Sequence, residues 1–475
     1  MIQDNGHTQA SILGSVSDVG IRECVEEKLD TMVTDEAGLK RPIMISIVIP
    51  TKIDVGRKTK RKELETLGRL LKECSGLADL GYVDEIIVID ASVDKNSKPD
   101  YSVLTKVIRT AYLHLSLFRR EVGLIASSRA ESLHASRGFF DFFVKVVHQF
   151  DPNISKLAIS YKILDIVGLE GVPQGKGTAL WLSAPLVKGD IICFLDSDIM
   201  NFRKEMLVAL CHPLVRSTAD THSKLKMVKA FYRRLTLRYE SPRKEYVFGG
   251  RTTRLFAIPL MKILARNYPE IFLGLDTIRY PLSGESAIVR EALERLEFPY
   301  DYSVEIALLH QVIRRYGLQA VGQVDLDLFY HIGQSIKGLQ NMVEQITRYC
   351  LSLLDAKGIH LSEEEIDNLV EQYRREANAL TSEYRKIFCR LKRTARKEIR
   401  EPVLYAGMSD RARLDLFAST IADTARGLTP SANRLPAWSK AIDKIDYLAL
   451  STMLKRRANQ STYSRLLAAE LIAKV

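Results

Sequence analysis

Asp196-Ser197-Asp198 sets two carboxylates at i and i+2 directly behind an apolar run, Ile191–Leu195. Leaving a sheet edge together, they could share one hard divalent cation, which takes oxygen ligands and bridges carboxylates to substrate phosphates. The same pattern also serves as a turn or helix cap at strand ends. Twenty residues earlier, Gly175-Lys176-Gly177 offers a point charge between two residues that let backbone approach a ligand closely. It is not a P-loop, since GxxxxGK[ST] is absent, and alone it also reads as a surface turn. Asp54 follows one apolar run, and Asp90, Ser92 and Asp94 follow another. Those groups could bind ribose or a base edge, or simply cap the next helix. His331 follows Asp325 and Asp327, and a lone histidine is either a ligand or a satisfied structural residue. Glu285 and Glu305 sit in apolar or glycine-rich surroundings, where a carboxylate must be paired or functional.

These residues need elements to hold them. Ile43–Pro50 is a continuous β-branched run, the pattern of a strand buried on both faces of a parallel sheet. Glu85–Asp90 and Ile191–Asp198 repeat it. Helical spacing over Glu63–Cys74 and Thr178–Val187 separates the runs, which predicts βαβ units and an α/β fold with an open parallel sheet. Ligands then bind beyond the carboxyl ends of the strands. The expected organisation is a polar, partly helical segment over 1–42, an α/β half over 43–200, a second half over 201–335, and a helical extension over 336–475. Glu363–Lys397 lacks proline and carries many i,i+4 charge pairs.

Composition narrows the class. The chain has 475 residues, 46% of them hydrophobic, enough to bury a large core. Lys+Arg 69 against Asp+Glu 58 leaves +11, compatible with nucleic acid, anionic lipid or phosphorylated small molecules. Most of that excess falls after Ser335, away from the α/β half. Arg57–Lys62 and Arg390–Arg400 are basic clusters with poor aromatic interleaving, read as solvated helix faces or as phosphate contacts. Six scattered cysteines with no CxxC argue against a zinc site or a disulfide framework. Met1–Gly20 is polar and no run approaches membrane-spanning length, so a cytoplasmic protein is expected.

Together the motifs resemble the GT-A glycosyltransferases, and specifically the glucosyl-3-phosphoglycerate synthase family. The resemblance is carried by IVIPTKID, EIIVIDASVD, GKGTALWLS, GDIICFLDSDIMNF, MVKAFYRR, GGRTTRL, YPLSGESAIVRE and YSVEIALL, in the family's order, from about Ile43 to Ser335. It implies a Rossmann-like core and Mg²⁺ or Mn²⁺. It also implies transfer of glucose, with retention, from UDP- or GDP-glucose to 3-phosphoglycerate.

Residue by residue, the resemblance assigns Asp198 and His331 to the metal, and Asp196 to the ribose or the metal's surroundings. Lys176, Ser92 and Asp54 would meet the nucleotide. Arg251 and Thr253 would hold the acceptor's carboxylate or phosphate, Glu305 would lie near the transferred sugar, and Lys229 and Arg233 would offer further anion contacts. With no nucleophile evident, a front-face mechanism follows, with Asp198 and Glu305 at its centre. Three features depart from the family: Lys52 with Arg57–Lys62 after the first strand, Gly333 in place of an asparagine, and Phe329 in place of a basic residue. The last two leave glycerate, a glucosylated glycerate or another small anion open as acceptor, and a mannose donor open as well. The basic helical tail suggests homodimer contacts or a lid, with a nucleic-acid or partner module as a rival reading.

Overall fold

The computed structural model describes residues 10–472, except 36–37, 55, 57–58, 128–140, 221, 239–244, 334, 400, 406, 428–433 and 443–445. The chain gathers into two compact units, a larger one of Val16–Val228, Gly284–Tyr300 and Arg434–Val475, and a smaller one of Met1–Ser15, Lys229–Ser283 and Asp301–Asn433.

The larger unit is built on a sheet whose strands run, in spatial order, Ser286–Val289, Ile191–Phe194, Ile45–Thr51, Glu85–Asp90 and Val144–His148. The last four are parallel, and Ser286–Val289 runs antiparallel to Ile191–Phe194. This is the expected mostly parallel α/β core. Ile45, Ile47, Val48, Ile49 and Ile86–Ile89 are buried, because helices cover both faces. The helices Lys60–Asp79, Lys176–Ser183 and Lys204–Ala219 follow the first three strand ends or precede the next strand. Val144–His148 is the outer strand, and its outward amides are claimed by the C-terminal helix Tyr447–Ala468. Val146 N donates to Thr462 Oγ1 at 3.0 Å, and Phe142 N donates to Asn459 Oδ1 at 3.1 Å. A covered edge of this kind is closed to pairing with another chain. Trp181 and Trp438 stack at 4.5 Å, and each indole N–H donates to a carbonyl, Trp181 to Pro436 and Trp438 to Trp181.

In the smaller unit, Val321–Ile332 lies between Ser11–Ser15 and Met227–Arg238, and Glu245–Phe248 runs antiparallel to Met227–Arg238. Ile336–Asp355 and Glu363–Glu398 both pack on Gly407–Arg426, and Glu363–Glu398 also packs on Ile258–Asn267. Ser362 begins the longest of them with a capping box, its hydroxyl accepting from Glu365 N while Glu365 accepts from Ser362 N.

The expected helical extension is therefore present but not one body. Its first part clusters with residues 229–283, while 434–475 clusters with the parallel sheet, because Tyr447–Ala468 has the polar side chains that satisfy the sheet's outer strand. Among the described residues no helix is long and apolar enough to cross a membrane. Of the basic clusters, Lys60 pairs with Asp100 at 3.2 Å and Arg61 with Glu65, while Arg57, Lys58 and Arg400 lie outside the described residues.

Candidate active site

In the larger unit the polar residues emerge at the carboxyl ends of the parallel strands. Ile191–Phe194 ends in the turn carrying Asp196 and Asp198, both half-buried. Lys176 opens the helix Lys176–Ser183, and its Nζ lies 2.6 Å from Asp196 Oδ1. Two residues singled out from separate motifs thus form one charge-assisted contact. Gly177 is required there, since a Cβ would fall 1.7 Å from the Pro299 carbonyl oxygen. Gly284 plays the same part on the far side, where a Cβ would sit 2.4 Å from Asp196 Oδ2.

The first two strands end in an interlocked pair of loops. Ile53 N donates to Ser92 Oγ at 2.7 Å, and Val93 N donates to Asp54 Oδ1 at 3.1 Å. The Ser92 hydroxyl in turn donates to Asp90 Oδ1 at 2.6 Å. Ser92 is fully buried, so its hydroxyl is committed to joining the loops. Ser92, expected to meet a nucleotide, joins the two loops through its side chain in this structure. Asp54 remains half-buried at the loop surface. Burial pushes the Asp90 carboxyl up to about 7. His148 lies behind, its Nδ1 accepting from Phe150 N at 3.1 Å and its Nε2 donating to Ser92 O at 2.9 Å. That pairing assigns the proton to Nε2, and burial holds the ring's pKa below its usual value.

In the smaller unit, His331 lies inside the strand Val321–Ile332 and is 5% exposed. Its Nε2 meets Thr236 Oγ1 at 2.7 Å. Thr236 also packs against both glycine segments: a Cβ on Gly249 would come 2.5 Å from Thr236 Oγ1, and one on Gly333 would come 2.8 Å from Thr236 Cγ2. Gly333 therefore has a packing reason at the position where the resemblance expects asparagine. Phe329 stacks flat on Tyr232 at 4.0 Å, a buried aromatic pair where a basic residue was expected. Gly250, at φ 64°, turns the chain into a helix whose opening carries Arg251 and Thr253. Arg251 is half-buried and Thr253 is 4% exposed. Glu305 lies in the first turn of Val304–Tyr316, where the helix N-terminus favours an anion.

Two residues expected to offer anion contacts are partnered within the smaller unit. Lys229 is 1% exposed and donates to Ser283 O, and Arg233 is taken by Asp325 and Asp327. Lys229 is turned to a backbone carbonyl, and Arg233 is paired with acids distant in sequence. Sequence reasoning missed Thr236 and His148, and marked Gly284 only as the centre of a glycine segment. Nothing in the sequence marks the pairing of Thr236 with His331.

Among the described residues, no three or more His, Cys, Asp or Glu side chains gather into a metal-holding group. Asp198, in the larger unit, carries a carboxylate, and His331, in the smaller unit, carries an imidazole. With Nε2 on Thr236, a metal held by His331 would be taken through Nδ1, and the hydrogen bond behind the ring would fix its orientation.

No family model matches the chain. Over 194 residues it is 37% identical to a glucosyl-3-phosphoglycerate synthase of Petrotoga mobilis, covering 41% of this chain and 55% of that protein. Over 182 residues it is 38% identical to the synthase of Mycobacterium tuberculosis, covering 38% and 52%. The chain is similar to glucosyl-3-phosphoglycerate synthases. It spans about half the length of the curated synthases it matches. A crystal structure of the M. tuberculosis synthase with Mn²⁺, UDP-glucose and phosphoglyceric acid aligns with a TM-score of 0.47 at 27% identity, over 73% of this chain and 87% of that one.

Proposed function

We propose that the protein is a metal-dependent retaining glycosyltransferase of GT-A type that moves glucose from a nucleoside diphosphate glucose to 3-phosphoglycerate. The observation that carries this reading is the Lys176–Asp196 contact at the carboxyl end of the parallel sheet, in a chain similar to the synthases over 194 residues. On this reading the enzyme is cytoplasmic, works as a homodimer and accepts UDP- or GDP-glucose.

The residues divide the work. Lys176 exchanges its partner Asp196 for a diphosphate oxygen, which frees Asp196 for the ribose. Asp54, on the loop tied by Ser92, meets the nucleotide's base or ribose. Asp198 and His331 would hold Mg²⁺ or Mn²⁺, whose charge neutralises the leaving diphosphate. Arg251 and Thr253 hold the acceptor's carboxylate or phosphate. Glu305 stands near the glucose, where its negative charge favours a cation-like sugar. No side chain is assigned as a nucleophile, so the acceptor hydroxyl attacks from the face the diphosphate leaves.

Asp198→Ala tests the assignment: acceptor-dependent transfer should fall by about 10³-fold with saturating Mn²⁺, as for loss of a transition-state charge partner. Unchanged transfer would remove Asp198 from the reaction.

A second reading keeps the donor chemistry and changes the acceptor to glycerate or another small acid. Phe329 stacked on Tyr232, and Gly333 closed against Thr236, favour it, since neither offers a polar group to a phosphate. A higher kcat/KM for glycerate than for 3-phosphoglycerate would establish it.

A further inference from the structure

The loop Gly249–Thr253 is tied from behind by residues of the helical stretch that follows Ser335. Arg254 is 5% exposed. Its Nε donates to Gly249 O at 2.9 Å, one Nη2 bond reaches Phe248 O at 3.3 Å, and a second reaches Asp410 Oδ2 at 2.8 Å. The guanidinium lies 4.4 Å from the Phe248 ring centroid, which keeps it flat against the loop. Asp410 is 1% exposed and its other oxygen accepts from Arg413 Nη1 at 2.8 Å.

Just beyond Arg251, Thr253–Ala257 forms a wide π-type turn, a geometry that interrupts the regular helical ladder. Tyr373, fully buried on Glu363–Glu398, donates its hydroxyl to Leu255 O at 2.8 Å within that turn. The loop thus has two anchors, 156 and 118 residues away in sequence, and both come from the helical stretch.

We infer that Arg254, Asp410 and Tyr373 are positioning residues for acceptor binding, and that the helical stretch serves to fix the Gly249–Thr253 loop. This rests on the reading of Arg251 and Thr253 as the acceptor's contacts. None of the three touches substrate. Arg254 holds the carbonyls of Phe248 and Gly249, so the direction in which Arg251 leaves the loop depends on it. Asp410 holds the guanidinium in that orientation, and Arg413 holds Asp410. A small loop displacement weakens acceptor binding while sparing the nucleotide's contacts, which lie on the other unit.

The experiment compares wild type with Asp410→Asn and Tyr373→Phe, using two readouts. The first is hydrogen exchange at the amides of 249–253 in the free protein, expected to speed about tenfold in each variant. The second is kinetic: the KM for 3-phosphoglycerate should rise about tenfold, while the KM for UDP-glucose stays within about twofold. Should Asp410→Asn not fold, Tyr373→Phe, which loses a single hydroxyl, carries the comparison alone. Unchanged exchange overturns the inference whatever the substrate is. Faster exchange with an unchanged acceptor KM, or with both KM values rising together, overturns it too. A wild type lacking 3-phosphoglycerate-dependent transfer contradicts the functional reading instead, and exchange then decides the anchor by itself.

Discussion

Lys176 Nζ and Asp196 Oδ1 lie 2.6 Å apart, joining the glycine-flanked lysine before one helix to the first acid of the DSD turn. The lysine is partly exposed, so the pair can open toward an incoming anion. Replacing Lys176 by Met removes a charge-assisted contact worth about 1.5–3 kcal/mol, a loss of about tenfold to hundredfold in donor affinity. Calorimetric titration with UDP, with metal present, reads it directly. An unchanged affinity would leave the lysine a structural partner of Asp196 alone.

Gly284→Ala sets a methyl group at 2.4 Å from the Asp196 carboxylate. Asp196 must move, and overpacking of this kind costs about 1–3 kcal/mol. Sugar transfer should fall much further than the melting temperature does. Equal activity in the variant would mean that the Asp196 position is not critical.

Thr236→Val keeps the shape of its side chain and removes the hydroxyl that meets His331 Nε2. Loss of such a support behind a metal-binding ring lowers metal affinity by about 10–100-fold. The Mn²⁺ concentration giving half-maximal transfer measures it, and a shift is expected without a change in donor KM at saturating metal.

Asp90 gives the fold a pH dependence. Its buried carboxyl is raised to about 7, above its value in the unfolded chain. The native state therefore holds the proton more tightly than the unfolded one. That contribution is fully present near pH 4 and is lost as pH rises through about 7. Asp90→Asn keeps the acceptor for Ser92 and has no charge to bury. The stability of the variant relative to wild type should grow by a few kcal/mol between pH 5 and pH 8. Thermal melts across that range check it, and a constant difference would contradict it.

The strands that position the donor side were readable because a parallel strand buried on both faces must be apolar throughout. Glu85–Asp90 matches its expected bounds, and Ile45–Thr51 lies within one residue at its far end. Val144–His148 escaped notice because Lys145 interrupts it, and that lysine is buried through pairing with Glu85 at 3.1 Å and Asp141 at 2.5 Å. Ser11–Ser15 is largely exposed and pairs in parallel with Val321–Ile332, so it has no apolar signature. Residue types singled out Asp196, Lys176 and Arg251 as candidates, since charge and glycine spacing are local. The fates of Lys229 and Arg233, and the anchoring of Arg254 by Asp410, depend on residues far along the chain. No local pattern reports them.

The central claim is glucose transfer to a small phosphorylated acid, and a labelled-glucose assay tests it most directly. The protein is incubated with UDP-glucose or GDP-glucose and 3-phosphoglycerate, with Mn²⁺ or Mg²⁺ and again with EDTA. The account predicts glucosyl-3-phosphoglycerate in the presence of metal and none with the chelator. Absence of acceptor-dependent transfer from either donor, or equal transfer in EDTA, would contradict it.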